Sequence, residues 1–226
     1  QEKTGLKYED LGDITFGNVL QGGSANFPTR IGQFLAGVPY TVPLVTINRL
    51  CSSGLEACAQ IASKIKAGMI DVGLAGGHEN MTQFTMNDLL SRKDFMAMDV
   101  IEKNENAKNC LLSMGITSEL VAERYGVSRE ACDKFAFESQ RKAVEAQKKG
   151  LFKEEIVPIK VTVKEKQKDG TIKTKEVLVE HDDGIRETTM ETLSKLPPAF
   201  KKNGISTAGN SSQVLHLYCI FTLIDN

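Results

Sequence analysis

The sequence lacks the features that mark several common classes of protein. None of its apolar runs approaches the roughly 20 residues that a membrane-spanning helix needs. The formal net charge is −1, so the overall charge gives no argument for binding nucleic acid or an anionic membrane surface. The chain opens with a charged segment in which no signal peptide is visible, and no internal repeat or low-complexity segment occurs. These observations favour a globular protein and leave its chemistry to individual residues.

Cysteine and histidine are present without the spacing of a structural site. The five cysteines are odd in number and form no CxxC pair, which argues against a disulfide framework or a zinc site. The three histidines are scattered along the chain and suggest no metal centre. Free thiols in a reducing compartment are therefore expected.

The first third of the chain alternates between strand and helix patterns. Apolar segments at residues 11–20, 42–47 and 70–77 have strand character, whereas residues 29–35 and 55–67 are helical in pattern. The continuous apolar run at 42–47 is typical of a strand that is buried on both faces. This alternation predicts an α/β fold with a mixed, mostly parallel sheet.

The middle of the chain departs from that alternation. Residues 82–113 are polar and irregular, and such a long loop is usually functional or interfacial. Thr117 or Ser118 is predicted to cap a helix that stops near Gly126. Residues 156–163 and 172–179 flank an Asp-Gly pair and predict a β-hairpin with a solvated, lysine-rich edge.

A second, longer helix is predicted to follow, with Ser128 as its cap and Gly150 at its end. Six of its small or apolar residues are predicted to share one face: Cys132, Phe135, Ala136, Ser139, Ala143 and Ala146.

Cys51 lies where a nucleophile is expected. The run at 42–47 leads into Asn-Arg-Leu-Cys-Ser-Ser-Gly at 48–54, and a helical pattern follows. The positive end of that helix favours a thiolate, which is the form that acts in covalent catalysis. The small residues at 52–54 let a substrate carbonyl approach the backbone, where the N–H of Cys51 would supply half of an oxyanion hole. A buried structural cysteine at a tight turn is the alternative.

Residues 48–57 resemble the nucleophile motif of the thiolases. Six further segments resemble the same family in family order: GNVL at 17–20, AGGHENM at 75–81, MGITSE at 114–119, FKEEIVP at 152–158, PAFKKNG at 198–204 and TAGNSS at 207–212. The similarity covers about residues 5 to 214 and is greatest to the peroxisomal 3-ketoacyl-CoA thiolases. It implies thiolytic cleavage of 3-ketoacyl-CoA in fatty-acid β-oxidation, through an acyl-thioester on Cys51 that coenzyme A releases.

The resemblance also implies a domain organisation. Residues 1–81 would form an incomplete N-terminal α/β core, and residues 82–199 a loop subdomain. That subdomain would comprise an irregular loop at 82–113, helices at 114–150 and the hairpin at 156–180. Residues 200–226 would return to the core and end in a divergent apolar tail after Ser212. The family's first strand and its C-terminal half are expected to be missing.

Ligand contacts are implied residue by residue. Met114 matches a position that lines the acyl pocket, and Arg186 matches an arginine beside the adenine-phosphate end of coenzyme A. Thr192 aligns across a one-residue gap with a polar residue near the adenine, while Ala208 and Ser212 match residues along the pantetheine arm. A surface arginine and a core methionine are the plain alternatives for Arg186 and Met114. Coenzyme A would be a co-substrate, with no metal and no tightly bound cofactor.

Several catalytic segments of the family do not occur. The sequence has no Asn-Glu-Ala-Phe, Gly-His-Pro or Cys-x-Gly segment, so this chain is expected to be inactive or nearly so alone. His78 is expected to have a local structural role. A non-catalytic product that binds coenzyme A or interferes with dimers is one alternative, and a ketoacyl synthase is another. A homodimer through the N-terminal core and a peroxisomal location are implied, with mitochondrion or cytoplasm as alternatives.

Overall fold

The computed structural model describes residues 5–81, 83–85, 96–166, 170–212 and 217–224, the last of these by backbone alone. The chain divides into two compact units, residues 1–105 with 214–226 and residues 106–213. The sequence places the boundaries of core and loop subdomain at 81/82 and 199/200 instead, and those functional boundaries stay a prediction. Among the described residues, no helix is both long and apolar enough to span a membrane.

The first unit contains a four-stranded sheet. Strand β1 (Asp13–Gly17) lies between β2 (Leu44–Ile47) and β3 (Val72–Glu79), parallel to both, and places Ile14 opposite Leu44 and Leu74. Strand β6 (Leu217–Ile224) pairs antiparallel with β3. The expected α/β fold with a mostly parallel sheet is therefore confirmed.

Helices cover both faces of this sheet. Helix α2 (Ser53–Lys66) packs on one face, where Ala57, Ile61 and Ala75 are fully buried. Helix α1 (Asn26–Leu35) lies on the other face, where the buried cluster contains Ile14 and Val42. Neighbouring residues of a strand face opposite sides, so Leu74 and Ala75 contribute to different clusters. Short helices at Tyr8–Asp10, Gly22–Ala25 and Met98–Ile101 (α3) complete the unit. The helix Glu105–Asn109 (α4) begins at residue 105, where the first segment of this unit ends, and otherwise belongs to the second unit.

Strand β2 is less buried than the sequence predicts. It is the first strand in the sheet order and pairs with β1 alone among the described strands. None of its residues is fully buried, and the Val45 side chain is 37% exposed. The expectation of burial on both faces is therefore wrong, since an apolar run predicts a strand but not its place in the sheet.

The second unit holds two long helices and a separate hairpin. Helix α5 (Met114–Tyr125) and helix α6 (Arg129–Lys148) are followed by the antiparallel strands β4 (Ile159–Lys166) and β5 (Ile172–Val179), then by α7 (Met190–Ser194).

The helix caps of this unit are partly as predicted. Ser128 caps α6 as expected, since its side chain accepts from the N–H of Ala131. The cap of α5 is Ser113, whose Oγ accepts from Ile116 N–H at 3.4 Å. Thr117 and Ser118 lie inside that helix, so the predicted cap is wrong.

The buried face of α6 is also partly different from the prediction. Asp133 is 1% exposed, whereas Phe135 is 80% exposed. Cys132 and Ala136 are half-buried and lie on the expected face. The buried face of α6 therefore includes Asp133, whose carboxylate has polar partners in Arg129 and Asn210, and does not include Phe135.

Candidate functional site

Cys51 lies in the turn between β2 and α2. Ser52 is the residue before the first turn of α2, so Cys51 precedes the helix by two positions and is exposed to solvent. The side chain of Arg49 forms an ion pair with Glu56 at 2.6 Å, which joins the turn to the first turns of the helix. The thiol is thus at the strand-to-helix position that the sequence predicts.

The residue before Cys51 has an unusual backbone. Leu50 adopts a left-handed conformation with φ of 50°, which is uncommon for a residue with a branched side chain. Its N–H donates to Asn48 Oδ1 at 2.9 Å. Its carbonyl accepts from the N–H and from the Oγ of Ser53, at 3.0 and 2.6 Å. The turn is therefore fixed by side chains on both sides of Leu50.

A cavity of about 230 Å³ opens beside Cys51. It lies where the carboxyl ends of the parallel strands meet, the usual place for ligands in such sheets. Gly17 is essential to its shape, since an added Cβ would lie 2.7 Å from the carbonyl carbon of Ser53. The lining residues are Gly17, Asn18, Val19, Leu50, Cys51, Ser53, Gly54, Gly76, Gly77, His78 and Glu79.

Asn18 and Glu79 tie the ends of β1 and β3 together. Asn18 is 1% exposed, and its Nδ2 donates to the carbonyl of His78 at 2.7 Å and to Glu79 Oε1 at 3.3 Å. The Glu79 carboxylate accepts from the N–H groups of Val19 and Leu20, at 2.9 and 3.3 Å. These contacts hold the wall of the cavity. The sequence does not predict a role for Asn18 or Glu79, although both lie in segments that resemble the thiolase family.

The ring of His78 faces α1, away from the face on which α2 packs. Its Nε2 lies 3.1 Å from Thr29 Oγ1, and its ring centroid lies 6.2 Å from that of Phe16. Burial lowers the pKa of His78, while the nearby charge of Glu79 opposes that effect. The imidazole is therefore neutral near pH 7, and its contacts agree with a structural role.

The other residues singled out from the sequence lie in the second unit. Arg186 is exposed, its backbone N–H donates to Gln140 Oε1 at 3.1 Å, and it lines a cavity of about 550 Å³. Three further cations line that cavity: Arg141, Lys148 and Lys149. Glu145 and Glu187 also line it, and both pair with these lysines.

The structure does not bring the remaining contacts to that cavity. Thr192 is exposed in α7, where its N–H donates to Thr189 Oγ1 at 3.1 Å as part of the helix cap. Met114 is 66% exposed at the start of α5, and Ala208 and Ser212 are exposed on the loop at 207–212. Of the residues that the structure describes around the cavity, Arg186 is the one that the sequence assigned to coenzyme A.

Buried polar groups hold the loop that carries Ala208 and Ser212. Asn210 Nδ2 donates to Asp133 Oδ1 and to the carbonyl of Ile205, both at 2.8 Å. Arg129 donates to Asp133 Oδ2 at 2.8 Å and to two carbonyls at the end of α7. Hydrophobic periodicity gives no signal for Asp133, because this residue lies outside the face that the six predicted residues share.

A second carboxylate holds the same part of the chain from α5. Glu119 is 4% exposed and accepts from the N–H groups of Ile205 and Ser206, at 2.9 and 2.8 Å. Burial by itself would raise the pKa of this carboxyl, but these hydrogen bonds and the charge of Lys201 lower it below its usual value. The described residues contain no group of three or more His, Cys, Asp or Glu that would hold a metal ion.

Comparisons with known proteins agree with the motif. Residues 2–215 match the family model "Thiolase, N-terminal domain". The chain is 52% identical over 213 residues to the human peroxisomal 3-ketoacyl-CoA thiolase, covering 92% of this chain and 47% of the relative. It is 46% identical over 215 residues to peroxisomal 3-ketoacyl-CoA thiolase 2 of Arabidopsis thaliana, covering 94% and 45%. The chain thus spans about half the length of the curated relatives it matches.

A solved structure shows the same fold. The dimeric peroxisomal thiolase of Saccharomyces cerevisiae superposes with a TM-score of 0.81 at 40% sequence identity. The match covers 95% of this chain and 52% of that one.

Proposed function

Since the chain belongs to the thiolase family, through that family's N-terminal domain, we propose that it contributes the nucleophile of a peroxisomal 3-ketoacyl-CoA thiolase. The observation that carries this proposal is the exposed thiol of Cys51, held at a strand-to-helix turn beside a cavity. The names of relatives near 50% identity support the substrate and the peroxisomal location.

The proposed reaction has two covalent steps. The Cys51 thiolate attacks the 3-keto carbonyl, the bond between C2 and C3 breaks, and acetyl-CoA leaves after its C2 takes up a proton. The shortened acyl group stays on Cys51 as a thioester, which keeps its carbonyl activated. The thiolate of coenzyme A then attacks that carbonyl, the bond to Cys51 breaks, and a shortened acyl-CoA is released.

These steps need proton transfers that typically contribute about 10²–10⁴-fold each. In the family, the Gly-His-Pro and Cys-x-Gly segments supply the histidine and the second cysteine for this purpose, and neither segment occurs in this sequence. The chain alone is therefore proposed to accept an acyl group but to turn over poorly. Under the alternative of a non-catalytic product, it would bind coenzyme A without forming the thioester.

The second unit is proposed to bind coenzyme A. The cavity beside Arg186 is lined by four cationic side chains, Arg186 included, and by two carboxylates. Guanidinium groups suit a phosphate ligand. Met114, Thr192, Ala208 and Ser212 stay proposed contacts through their match to the family. Coenzyme A acts here as a co-substrate.

A homodimer is proposed through the N-terminal core. Among the described strands, β2 pairs with β1 alone, and an edge strand favours pairing with another strand. Large apolar side chains are exposed on the neighbouring helix, with Phe27 at 81% and Leu35 at 84%. The similar yeast structure is described as dimeric.

Acyl transfer to Cys51 tests the proposed function. The chain is incubated with acetyl-CoA, and the modified peptide is identified by mass spectrometry. We expect acetylation of Cys51, none of Cys110, and none in Cys51→Ala. Cys110 is the matched control because its thiol is also exposed. Acetylation of Cys110 at the same rate as Cys51, or no acetylation at all, would contradict the proposal. A separate assay of acetoacetyl-CoA thiolysis tests the expected low turnover, which a fast reaction would contradict.

A further inference from the structure

The conformation of Leu50 has to be held by its neighbours. A left-handed backbone is unfavourable for a residue with a side chain, and it persists where the surroundings fix it. The Leu50 side chain is 64% exposed, so packing of that side chain does not supply the restraint. Polar contacts of the backbone have to do so.

Asn48 supplies the first restraint. Its Oδ1 accepts from the N–H of Leu50 at 2.9 Å, and its Nδ2 donates to the carbonyl of Val19 at 3.1 Å. One side chain therefore connects the segment after β1 to the left-handed residue. Asparagine often makes the first kind of contact in turns, since its amide accepts from the backbone two residues on.

Ser53 supplies the second restraint, on the other side of Leu50. Its Oγ donates to the Leu50 carbonyl at 2.6 Å and accepts from the N–H of Arg49 at 2.9 Å. In a trans peptide the carbonyl and the next N–H point in opposite directions, and none of the described peptides, the Leu50–Cys51 peptide included, is cis. The two contacts that fix the Leu50 carbonyl, from the Oγ and from the backbone N–H of Ser53, therefore also fix the direction of the Cys51 N–H. Among the backbone hydrogen bonds of the described turns and loops, none is donated by the Cys51 N–H.

We propose that Asn48 and Ser53 are positioning residues that hold the Leu50–Cys51 peptide so that the Cys51 N–H can stabilise the oxyanion formed on acyl transfer. The inference rests on the proposed function, which makes Cys51 the acyl acceptor. Loss of one oxyanion donor costs about 10²–10³-fold in comparable enzymes, so a displaced donor has a measurable effect.

Two reactions of the Cys51 thiol distinguish an effect on the oxyanion donor from an effect on the accessibility of the thiol. In acetylation the Cys51 sulfur forms a bond to the acetyl carbon, the bond to the coenzyme A sulfur breaks, and the thiol proton passes to the departing thiolate through solvent. An oxyanion forms on that path. In alkylation by iodoacetamide the sulfur displaces iodide from carbon, and no oxyanion forms. A positioning role predicts loss of the first reaction with the second retained.

Four variants are compared with the unchanged chain. In Asn48→Ala both contacts of the amide are lost, and in Ser53→Ala the hydroxyl contacts to Leu50 and Arg49 are lost. Asn48→Ser is the conservative variant, because a hydroxyl makes the same turn contact more weakly. Asn80→Ala is the matched control, since Asn80 makes two similar contacts to Gln83 within its own turn.

We expect Asn48→Ala and Ser53→Ala to lower the acetylation rate by about tenfold or more, with alkylation within about twofold. Asn48→Ser should recover part of the acetylation rate, and Asn80→Ala should change neither rate. Equal losses in both reactions, or unchanged acetylation in Asn48→Ala and Ser53→Ala, would overturn the positioning role. Thermal melting of each variant identifies loss of folding, which would lower both rates together.

A chain that is never acetylated would overturn the proposed function without deciding the role of Asn48. Amide hydrogen exchange at Leu50 decides it in that case. The restraint predicts that exchange of the Leu50 N–H becomes faster by about threefold or more in Asn48→Ala, because the acceptor is lost. Unchanged exchange would overturn the restraint itself.

Discussion

At Gly17 the chain has no room for a side chain. An added Cβ would lie 2.7 Å from the carbonyl carbon of Ser53 and 2.9 Å from its oxygen. Both are backbone atoms, which cannot move away by a change of rotamer. We expect Gly17→Ala to lower the free energy of unfolding by about 1–3 kcal/mol, as overpacking does elsewhere. Urea denaturation followed by circular dichroism measures this change.

Gly54→Ala is the matched control for that measurement. Gly54 lies in the first turn of α2, and no atom lies within 4 Å of an added Cβ. Alanine should stabilise the chain there by about 0.5–1 kcal/mol, because glycine loses more backbone entropy on folding. A destabilised Gly54→Ala, or a Gly17→Ala as stable as the unchanged chain, would contradict the packing described around the turn.

Single residues differ in how far the sequence predicts them. The sequence predicts the strand-to-helix position of Cys51, because the apolar run, the small residues and the helical pattern that indicate it are all close to Cys51 in the chain. The contacts of Leu50 with Asn48 and Ser53 are also local, but the contact that fixes the Asn48 amide could not be placed, since its acceptor Val19 lies on a different strand connection. The same holds for Arg186: its charge suggests a phosphate ligand, but the cations of α6 beside it come from about 40 residues earlier in the chain.

At the scale of elements, α5 holds the backbone of Ile205 and Ser206 through the carboxylate of Glu119. The pKa of Glu119 is lowered, so the unfolded chain takes up its proton at a higher pH than the folded chain. Its contribution is complete above the ordinary carboxyl pKa of about 4.5 and is lost as the pH falls through the lower, folded value. Stability of the chain should therefore decrease with acid in this range.

Glu119→Gln removes one of the two acceptor oxygens and should cost about 1–3 kcal/mol of unfolding free energy at pH 7. The difference from the unchanged chain should shrink towards pH 3, as measured by denaturation at several pH values. Glu123→Gln is the control, since the Glu123 side chain is 66% exposed and pairs with Lys201 at the surface. It should change stability by no more than about 0.5 kcal/mol. A pH-independent loss in Glu119→Gln would contradict this role.

The sequence predicts the positions of helices and strands better than it predicts their caps or their order in the sheet. The strands at 44–47 and 72–79 and helix α6 lie where periodicity predicts them. The cap of α5 was misplaced because Ser113, Thr117 and Ser118 are all suitable capping residues, and only the backbone of Ser113 is extended. The edge position of β2 depends on strand order, which local pattern does not contain.

At the scale of the whole molecule, the proposed dimer depends on the edge of β2. Lysine on an edge strand opposes pairing with another strand, so Val45→Lys should convert a dimer into a monomer in sedimentation equilibrium. Val163→Lys is the control, because Val163 is similarly exposed, at 40% against 37% for Val45, but lies in the hairpin of the second unit. An unchanged chain that is monomeric at micromolar concentrations, or a dimeric Val45→Lys, would contradict the proposed interface.

The order of the strands has a consequence during synthesis on the ribosome. Strand β3 gains its partner β6 only after the whole second unit has been made. About 140 residues, most of them in that unit, lie between the two strands, which corresponds to roughly 7–30 seconds at typical elongation rates. Until then β3 pairs with β1 alone among the described strands, and open edges invite pairing with other chains. Nascent chains of this protein are therefore expected to need a chaperone most while the second unit emerges.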